Sequence, residues 1–199
     1  MKRIILASSS PRRKKILETI GLPFEVIKSD VDERVDLENS PYEWVKAVSL
    51  KKAVAVSKQV EGEAIIIAAD TIVTDLGRIL NKPADRDDAV KMLKSLQGKK
   101  HCVYTGVTII FKDENGEEVS TYVDGTDVYM RSLTDKEIND YVDTGEPFDK
   151  AGAYAIQGKG SLLVESISGD YYTVVGLPVY ILQQAFSQHG IDIMDYWNN

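Results

Sequence analysis

The sequence predicts an α/β protein whose mixed β-sheet is flanked by helices. Short apolar segments typical of strands alternate with segments of helical periodicity along the 199 residues. Two long strand-like segments, residues 103–111 and 118–130, are joined by Asp113-Glu114-Asn115-Gly116, which favours a hairpin turn. A hairpin pairs its strands antiparallel, whereas strand–helix alternation favours parallel pairs. We therefore expect a mixed sheet rather than a purely doubly wound one.

The elements before the hairpin are marked by helix caps and apolar runs. Two pairs, Ser10-Pro11 and Ser40-Pro41, each predict a helix start, because serine caps free amides and the fixed φ of proline suits the first helical position. The first helix should stop at Gly21. In order, we predict a strand at 3–7, this helix, a strand at 24–27, an acidic loop at 29–39, a helix from 41 to 60, a strand at 64–74 and a turn at Leu76-Gly77.

The remaining elements follow the same signals. An amphipathic helix is predicted from Asp85 to residue 96, with a stop at Gly98, and Thr134 should cap a helix that reaches about residue 142. A glycine-rich stretch precedes a last helix at 177–188. Because no repeat, low-complexity tract or Pro/Gly/Ser linker divides the chain, we expect one domain over residues 1–199.

The charge balance limits the classes of partner. Lys and Arg total 24 against 31 Asp and Glu, a net charge of −7. Proteins that hold nucleic acid through a general phosphate-facing surface carry an excess of Lys and Arg, so a nucleic-acid partner is not expected. Any anion must be held by a local cluster.

The numbers of cysteines and histidines and the hydropathy of the chain argue against a disulfide-linked protein, a zinc protein and a membrane-spanning protein. One cysteine, Cys102, cannot form an internal disulfide, and two histidines supply too few ligands for a Cys/His zinc site. A metal would therefore be a hard cation on carboxylates. The apolar run at 64–69 is far shorter than the ~20 residues of a membrane span. The run at 4–7 is too short for a signal-peptide core, so we expect a cytoplasmic protein.

The segment Ser8-Ser9-Ser10-Pro11-Arg12-Arg13 is the first candidate site. It lies at a strand-to-helix junction, where free amides, hydroxyls and two guanidinium groups converge. Such a junction suits a phosphate or polyphosphate. A plain helix cap with surface arginines is the alternative.

Carboxylates and lysines form the second set of candidates. Asp70 ends a buried run and has lost part of its hydration, which suits a role in binding metal or activating water. An aspartate that ends the strand and caps a turn is a frequent alternative. Glu33 offers a second carboxylate unless it lies in a solvated acidic loop. Lys52 and Lys82 are plausible phosphate contacts, with solvated lysines as the more frequent alternative.

The late segment and the histidines complete the candidates. Gln157 could read a nucleobase edge, because an amide both donates and accepts hydrogen bonds, although a glutamine in a turn needs no such role. His101, next to Cys102 at the start of a strand, is expected to be structural, since no carboxylate partner adjoins it in sequence. No Walker-type loop and no Gly-x-Gly-x-x-Gly is present.

Eight short segments occur in a characteristic order along nearly the whole chain. Any one of them is weak evidence, but together in this order they are very specific, and they closely resemble the Maf family of nucleoside triphosphate pyrophosphatases. The segments are Ser8-Ser9-Ser10-Pro11-Arg12-Arg13, Asp32-Glu33-Arg34, Lys51-Lys52-Ala53, Ala69-Asp70-Thr71, Asn81-Lys82-Pro83, His101-Cys102-Val103-Tyr104-Thr105-Gly106, residues 149–158 (DKAGAYAIQG) and Val174-Val175-Gly176-Leu177-Pro178.

The resemblance implies both a fold and an activity. The fold would be inosine-triphosphatase-like, with an elongated mixed sheet, two lobes and a central cleft, commonly as a homodimer. The activity would be hydrolysis of nucleoside triphosphates to monophosphate and pyrophosphate with a divalent cation, with links to septum formation and to removal of non-standard nucleotides. Arg12, Thr71 and Gln157 match the branch that prefers dTTP and UTP.

These implications lead to a working assignment. Asp70 would be the general base and, with Glu33, a ligand of Mg²⁺ or Mn²⁺. In the same assignment, Ser8, Arg13, Lys52 and Lys82 would hold the triphosphate, and Arg12, Thr71 and Gln157 would shape a pocket for a small pyrimidine.

There are two alternative functions. One is a nucleotide-binding regulator of cell division that does not hydrolyse its ligand. The other, a nucleic-acid binder, is disfavoured by the net charge.

Overall fold

The computed structural model describes residues 1–33 and 40–198. Seven of its strands form one sheet. The strands are β1 (Arg3–Leu6), β2 (Glu25–Val26), β3 (Ala64–Asp75), β4 (Arg78–Leu80), β5 (Lys100–Asp113), β6 (Gly116–Met130) and β7 (Val164–Ser168). The α-helices are α1 (Pro11–Thr19), α2 (Pro41–Ser57), α3 (Arg86–Leu96), α4 (Asp135–Val142), α5 (Tyr171–Val175) and α6 (Val179–Gln188). Short 3-10 helices cover Glu146–Asp149, Ala151–Ala153, Gly158–Leu163 and Ile193–Asn198.

The sheet is mixed, as the sequence predicts. Its strand order is β2-β1-β3-β5-β6-β7, with β4 paired to the far end of β3. Strand β1 is parallel to both β2 and β3, whereas β3, β5, β6 and β7 pair antiparallel in turn. Helices lie in the connections between the parallel strands, and direct hairpins form the antiparallel pairs β3–β4 and β5–β6. The other two antiparallel pairs, β3–β5 and β6–β7, join strands that helices separate along the chain.

Two lobes share the long strands β3 and β5. In the first lobe, alternate residues of β3 face opposite sides of the sheet, so Ile65 and Ile67 enter one apolar core and Ile66 and Ala68 enter another. The second lobe is built around the other end of β3, where Val73 packs in a core with α3 and α4. The midpoint of β3, residues 70 and 71, therefore lies between the two lobes.

A glycine lets helix α2 approach the sheet closely. Gly106 of β5 pairs with Asp70 of β3. A Cβ atom at Gly106 would lie 2.3 Å from the carbonyl oxygen of Val45 in α2, a distance that side chains do not tolerate. The absence of a side chain at this position brings α2 down onto β3 and β5, next to Asp70.

The helix starts and the hairpin confirm the sequence predictions. Pro11 and Pro41 are the first residues of α1 and α2, and Thr134 forms a full capping box with Glu137. The Ser40 side chain caps α2, but the Ser10 side chain makes no cap, and α1 ends at Thr19 rather than at Gly21. Helix α2 ends at Ser57, three residues before the predicted end. The loop predicted at 29–39 lies partly outside the described residues. No helix in the described part of the chain is long and apolar enough to cross a membrane.

Candidate active site

A cleft of about 770 Å³ lies between the two lobes. The N-terminus of α1, the centre of β3, the loop after β4 and the segment that ends at Gln157 line it. All of the residues predicted from the sequence as site residues are found here. They are Ser8, Arg12, Arg13, Glu33, Lys52, Asp70, Thr71, Lys82 and Gln157.

Cations and carboxylates are mixed in this cleft. Its lining includes six lysine or arginine side chains and five aspartate or glutamate side chains. The prediction of a local cation cluster in an acidic protein is therefore correct, but each cation has acidic neighbours. Such a lining suits a polyphosphate that arrives with a metal ion better than a bare anion.

Arg13 is held rigidly at the base of the cleft. Its Nη1 atom donates to Ser8 Oγ at 3.2 Å, and its Nη2 atom donates to Thr71 Oγ1 at 3.1 Å. Its Nε atom donates to the Gly176 carbonyl oxygen at 2.8 Å. A guanidinium has five N–H groups, so two have no acceptor within residues 1–33 and 40–198 and could serve a ligand. Burial lowers the pKa of Arg13, and the nearby carboxylate of Asp70 acts in the opposite direction.

Lys52 of α2 forms ion pairs with two carboxylates, those of Glu33 and of Asp70 in β3. Its Nζ atom donates to Asp70 Oδ1 at 2.8 Å and lies 2.8 Å from Glu33 Oε1. The Lys52 and Asp70 side chains are only 9% and 12% exposed, so each charge offsets the desolvation of the other. The alternative that Lys52 is a solvated surface lysine is therefore wrong. Lys51 ties the acidic segment to α2 by donating to the Asp32 carbonyl oxygen at 2.7 Å.

Glu33 and Asp70 provide a donor set that fits a hard divalent cation. Both carboxylates converge on the Lys52 ammonium, a position that a cation favours. Within residues 1–33 and 40–198, no cluster of three or more His, Cys, Asp or Glu side chains could hold a metal ion. Mg²⁺ is commonly bound by one or two carboxylates together with substrate phosphates. The residues thus fit a cation that binds with a triphosphate, not a closed protein cage.

Lys82 projects from the second lobe. It follows β4 and is exposed. The Gly152 amide donates to the Asn81 carbonyl oxygen at 3.1 Å and fixes the backbone just before it. In the described part of the chain, the Lys82 ammonium has no ion-pair partner. Its charge is therefore available to a ligand.

Arg12 crosses the cleft to the second lobe. Its Nη1 atom lies 3.1 Å from Asp149 Oδ2, and Lys150 Nζ lies 2.5 Å from Asp149 Oδ1. This chain of charges connects α1 with the segment after α4. Sequence reasoning did not single out Asp149 or Lys150, although both stand at the start of the DKAGAYAIQG segment.

Thr71 and Gln157 lie at different points of the cleft. The Thr71 hydroxyl contacts Arg13 and lies 2.9 Å from Thr105 Oγ1, so it helps to hold the Arg13 guanidinium in place. Gln157 is half-buried, and its Nε2 atom donates to the Tyr171 hydroxyl at 3.2 Å. Of these two side chains, the Gln157 amide keeps an oxygen and one N–H group that no described residue contacts.

Comparison with known proteins identifies the family. The family model described as Maf-like protein matches residues 3–189. The chain belongs to the Maf-like family. This membership confirms the resemblance that the eight segments indicate.

Relatives of this Maf-like chain include two bacterial proteins of similar length. A protein of Bacillus cereus named dTTP/UTP pyrophosphatase is 49% identical over 97% of this chain and 98% of its own. One of Caldanaerobacter subterraneus subsp. tengcongensis with the same name is 50% identical over 89% and 84%. The solved Staphylococcus aureus Ham1 protein shows 17% identity over 95% of this chain and 100% of its own, with a TM-score of 0.46.

His101 is structural in this Maf-like chain, in agreement with the prediction. It is buried in the second lobe, and its Nε2 atom lies 2.6 Å from the Tyr154 hydroxyl. Burial lowers the pKa of His101 to about 4, so the ring is neutral at pH 7. Tyr154 lines the cleft, and His101 supports it from behind.

Proposed function

We propose that this protein hydrolyses dTTP and UTP to the monophosphate and pyrophosphate in the cleft between its lobes. One observation carries the proposal: a buried lysine–aspartate pair, a second carboxylate and a rigid arginine converge in one cleft of sufficient size for a nucleotide. The names of relatives about 50% identical support the same activity.

The triphosphate would lie along the cations of the cleft. Arg13 would contribute the two N–H groups that no described residue accepts, and Lys82 would approach from the opposite lobe with an ammonium that no described carboxylate pairs. The Ser8 hydroxyl accepts hydrogen bonds from Arg13 and from the Ser10 amide, and it would contact the same phosphate groups as Arg13. Several fixed donors around a polyphosphate stabilise the charge that develops on the leaving pyrophosphate.

Asp70 would act as the general base. Its carboxylate is positioned by β3 at the floor of the cleft and is held by Lys52. When a phosphate oxygen enters, Lys52 can transfer a hydrogen bond to it, which leaves Asp70 free to accept a proton from the attacking water. The water would attack the α-phosphorus in line with the leaving pyrophosphate.

Glu33 and Asp70 would hold a divalent cation, Mg²⁺ or Mn²⁺. When bound, the cation would neutralise phosphate charge and lower the pKa of a coordinated water. Glu33 is the more exposed of the two carboxylates, which allows it to follow the cation as substrate enters and leaves.

The nucleobase would lie toward Gln157. Its amide can accept from the N3–H of uracil or thymine and donate to a ring carbonyl. Arg12 and Thr71 would shape the space between base and phosphates. We also propose a single domain over 1–199, a homodimer and a cytoplasmic location.

Pyrophosphate release from a panel of nucleoside triphosphates, with and without Mg²⁺ or Mn²⁺, tests this function. We expect metal-dependent release that is fastest with dTTP and UTP. Tight nucleotide binding without release in the presence of either metal would favour the nucleotide-binding regulator instead.

A further inference from the structure

The backbone next to Gln157 is held by a carboxylate from another segment. Gln157 precedes the 3-10 helix Gly158–Leu163, whose first amides have no partner within the helix. Glu146 satisfies two of them: Oε2 accepts from the Lys159 amide at 3.0 Å, and Oε1 accepts from the Gly160 amide at 2.9 Å. The carboxylate thus caps this helix from outside.

Glu146 is itself fixed in the second lobe. The hydroxyl of Tyr141, a buried residue of α4, donates to Glu146 Oε1 at 3.1 Å. Lys150 Nζ donates to the Glu146 carbonyl oxygen at 2.6 Å. Although burial raises the pKa of Glu146, the hydrogen bonds from the Gly160 and Lys159 amides and from Tyr141 lower it overall, so the group is charged at neutral pH.

The contact between Glu146 and the helix start depends on a glycine. Gly158 has a φ of +66°, and a Cβ atom there would lie 2.9 Å from Glu146 Oε2. A larger residue would both strain the backbone and push the carboxylate away. The glycine after Gln157 therefore leaves room for the Glu146 carboxylate.

We infer that Glu146 is a positioning residue for nucleobase recognition, because it sets where the Gln157 amide lies in the cleft. This inference rests on the proposed function, in which Gln157 reads the pyrimidine edge. A site that hydrogen-bonds a base discriminates strongly only when its donors and acceptors are held in register with that base. In this proposal Glu146 fixes the backbone that carries Gln157 and does not itself contact the substrate.

The test separates base recognition from phosphate binding. Steady-state kinetics of Glu146→Gln would be measured with UTP and with CTP, and inhibition would be measured with inorganic tripolyphosphate, which has no base. Glutamine replaces one accepting oxygen by an NH₂ group. We expect the UTP/CTP ratio of kcat/KM to fall about 10-fold through a higher KM for UTP. The inhibition constant of tripolyphosphate should stay within about twofold of the wild-type value.

Further variants keep the test decisive. Gly158→Ala should lower the same UTP/CTP ratio, because the added methyl group would displace the Glu146 carboxylate. If Glu146→Gln does not fold, Tyr141→Phe removes one hydrogen bond to Glu146 and should give a smaller shift. The control is Glu117→Gln in the first lobe, whose carboxylate accepts from Ser57 Oγ at 2.6 Å, and it should leave both quantities unchanged.

Two results would overturn the inference while leaving the proposed function intact. One is a wild-type UTP/CTP ratio in Glu146→Gln and Gly158→Ala when Gln157→Ala lowers it. The other is a tripolyphosphate inhibition constant that weakens as much as the KM for UTP. Absence of pyrophosphate release from UTP by the wild-type protein would instead overturn the proposed function, and this inference with it.

Discussion

At the scale of single residues, the Lys52–Asp70 pair is the feature on which the proposed chemistry depends. Lys52 lies on α2 and Asp70 on β3, and their side chains meet 2.8 Å apart in a nearly buried position. The pair holds the carboxylate in place without substrate, and the ammonium has an alternative partner once a phosphate enters. A general base must be within hydrogen-bonding reach of the water that it deprotonates.

Asp70→Asn is expected to abolish most of the activity and preserve the fold. The amide keeps the shape of the side chain but cannot take a proton, so kcat should fall about 100-fold or more. The measurement is pyrophosphate release at saturating UTP. Asp75→Asn, on the same strand and paired with Lys99 outside the cleft, is the control and should retain its turnover. Near-normal turnover of Asp70→Asn would show that Asp70 is not the base.

Lys82→Ala is expected to weaken transition-state binding. Because the Lys82 side chain is exposed and unpaired in the described part of the chain, its loss should leave the melting temperature within a few degrees. We expect kcat/KM to fall about 10-fold to 100-fold, as for removal of a charged contact to the transition state. Lys91→Ala, an exposed lysine of α3, is the matched control. An unchanged kcat/KM for Lys82→Ala would remove this lysine from the site.

At the scale of elements, the close packing of α2 on the sheet brings the site together. Its helix start was predictable, because Ser40 and Pro41 mark it, and so was the strand that carries Asp70. The contact between them was not predictable, because it depends on Gly106 in a third element. Similarly, β4 and β7 were not predicted, because they are short and neither contains an apolar run like the one in β1.

Gly106→Ala should damage both stability and activity. The added methyl group would meet the Val45 backbone, which cannot rotate away as a side chain can. We expect a loss of about 2–3 kcal/mol in the free energy of unfolding and a lower kcat as Lys52 moves from Asp70. Gly125→Ala is the control, since the nearest atoms to its Cβ would belong to side chains, Tyr104 and Cys102, rather than to backbone. Equal unfolding free energies for the two variants would contradict this role of Gly106.

At the scale of the whole molecule, two separately packed lobes present opposite walls of one cleft. The mixed sheet and the membership of each candidate residue in the cleft could be predicted from the sequence. The Arg12–Asp149 contact and the hydrogen bonds from the Lys159 and Gly160 amides to Glu146 could not, because they join residues more than ten positions apart through side chains and loop amides. Such contacts are fixed only by the tertiary fold.

The second lobe should give the molecule a pH-dependent stability. The pKa of folded His101 is about 4, below its ordinary value of 6.5, so the unfolded state binds its proton more tightly. This contribution is complete above pH 6.5 and is lost as the pH falls toward 4, by about 3 kcal/mol in total. We expect His101→Gln to lose less stability than the wild type between pH 7 and 5 in urea unfolding. Parallel pH dependences would contradict a neutral buried His101.

Identification of the products of UTP hydrolysis tests the central claim most directly. Wild-type protein with Mg²⁺ or Mn²⁺ would be incubated with UTP, and the products would be separated by anion-exchange chromatography beside an Asp70→Asn sample. We predict equal amounts of UMP and pyrophosphate from the wild type and almost none from the variant. Formation of UDP and orthophosphate, or the same products at the same rate from Asp70→Asn, would contradict the account.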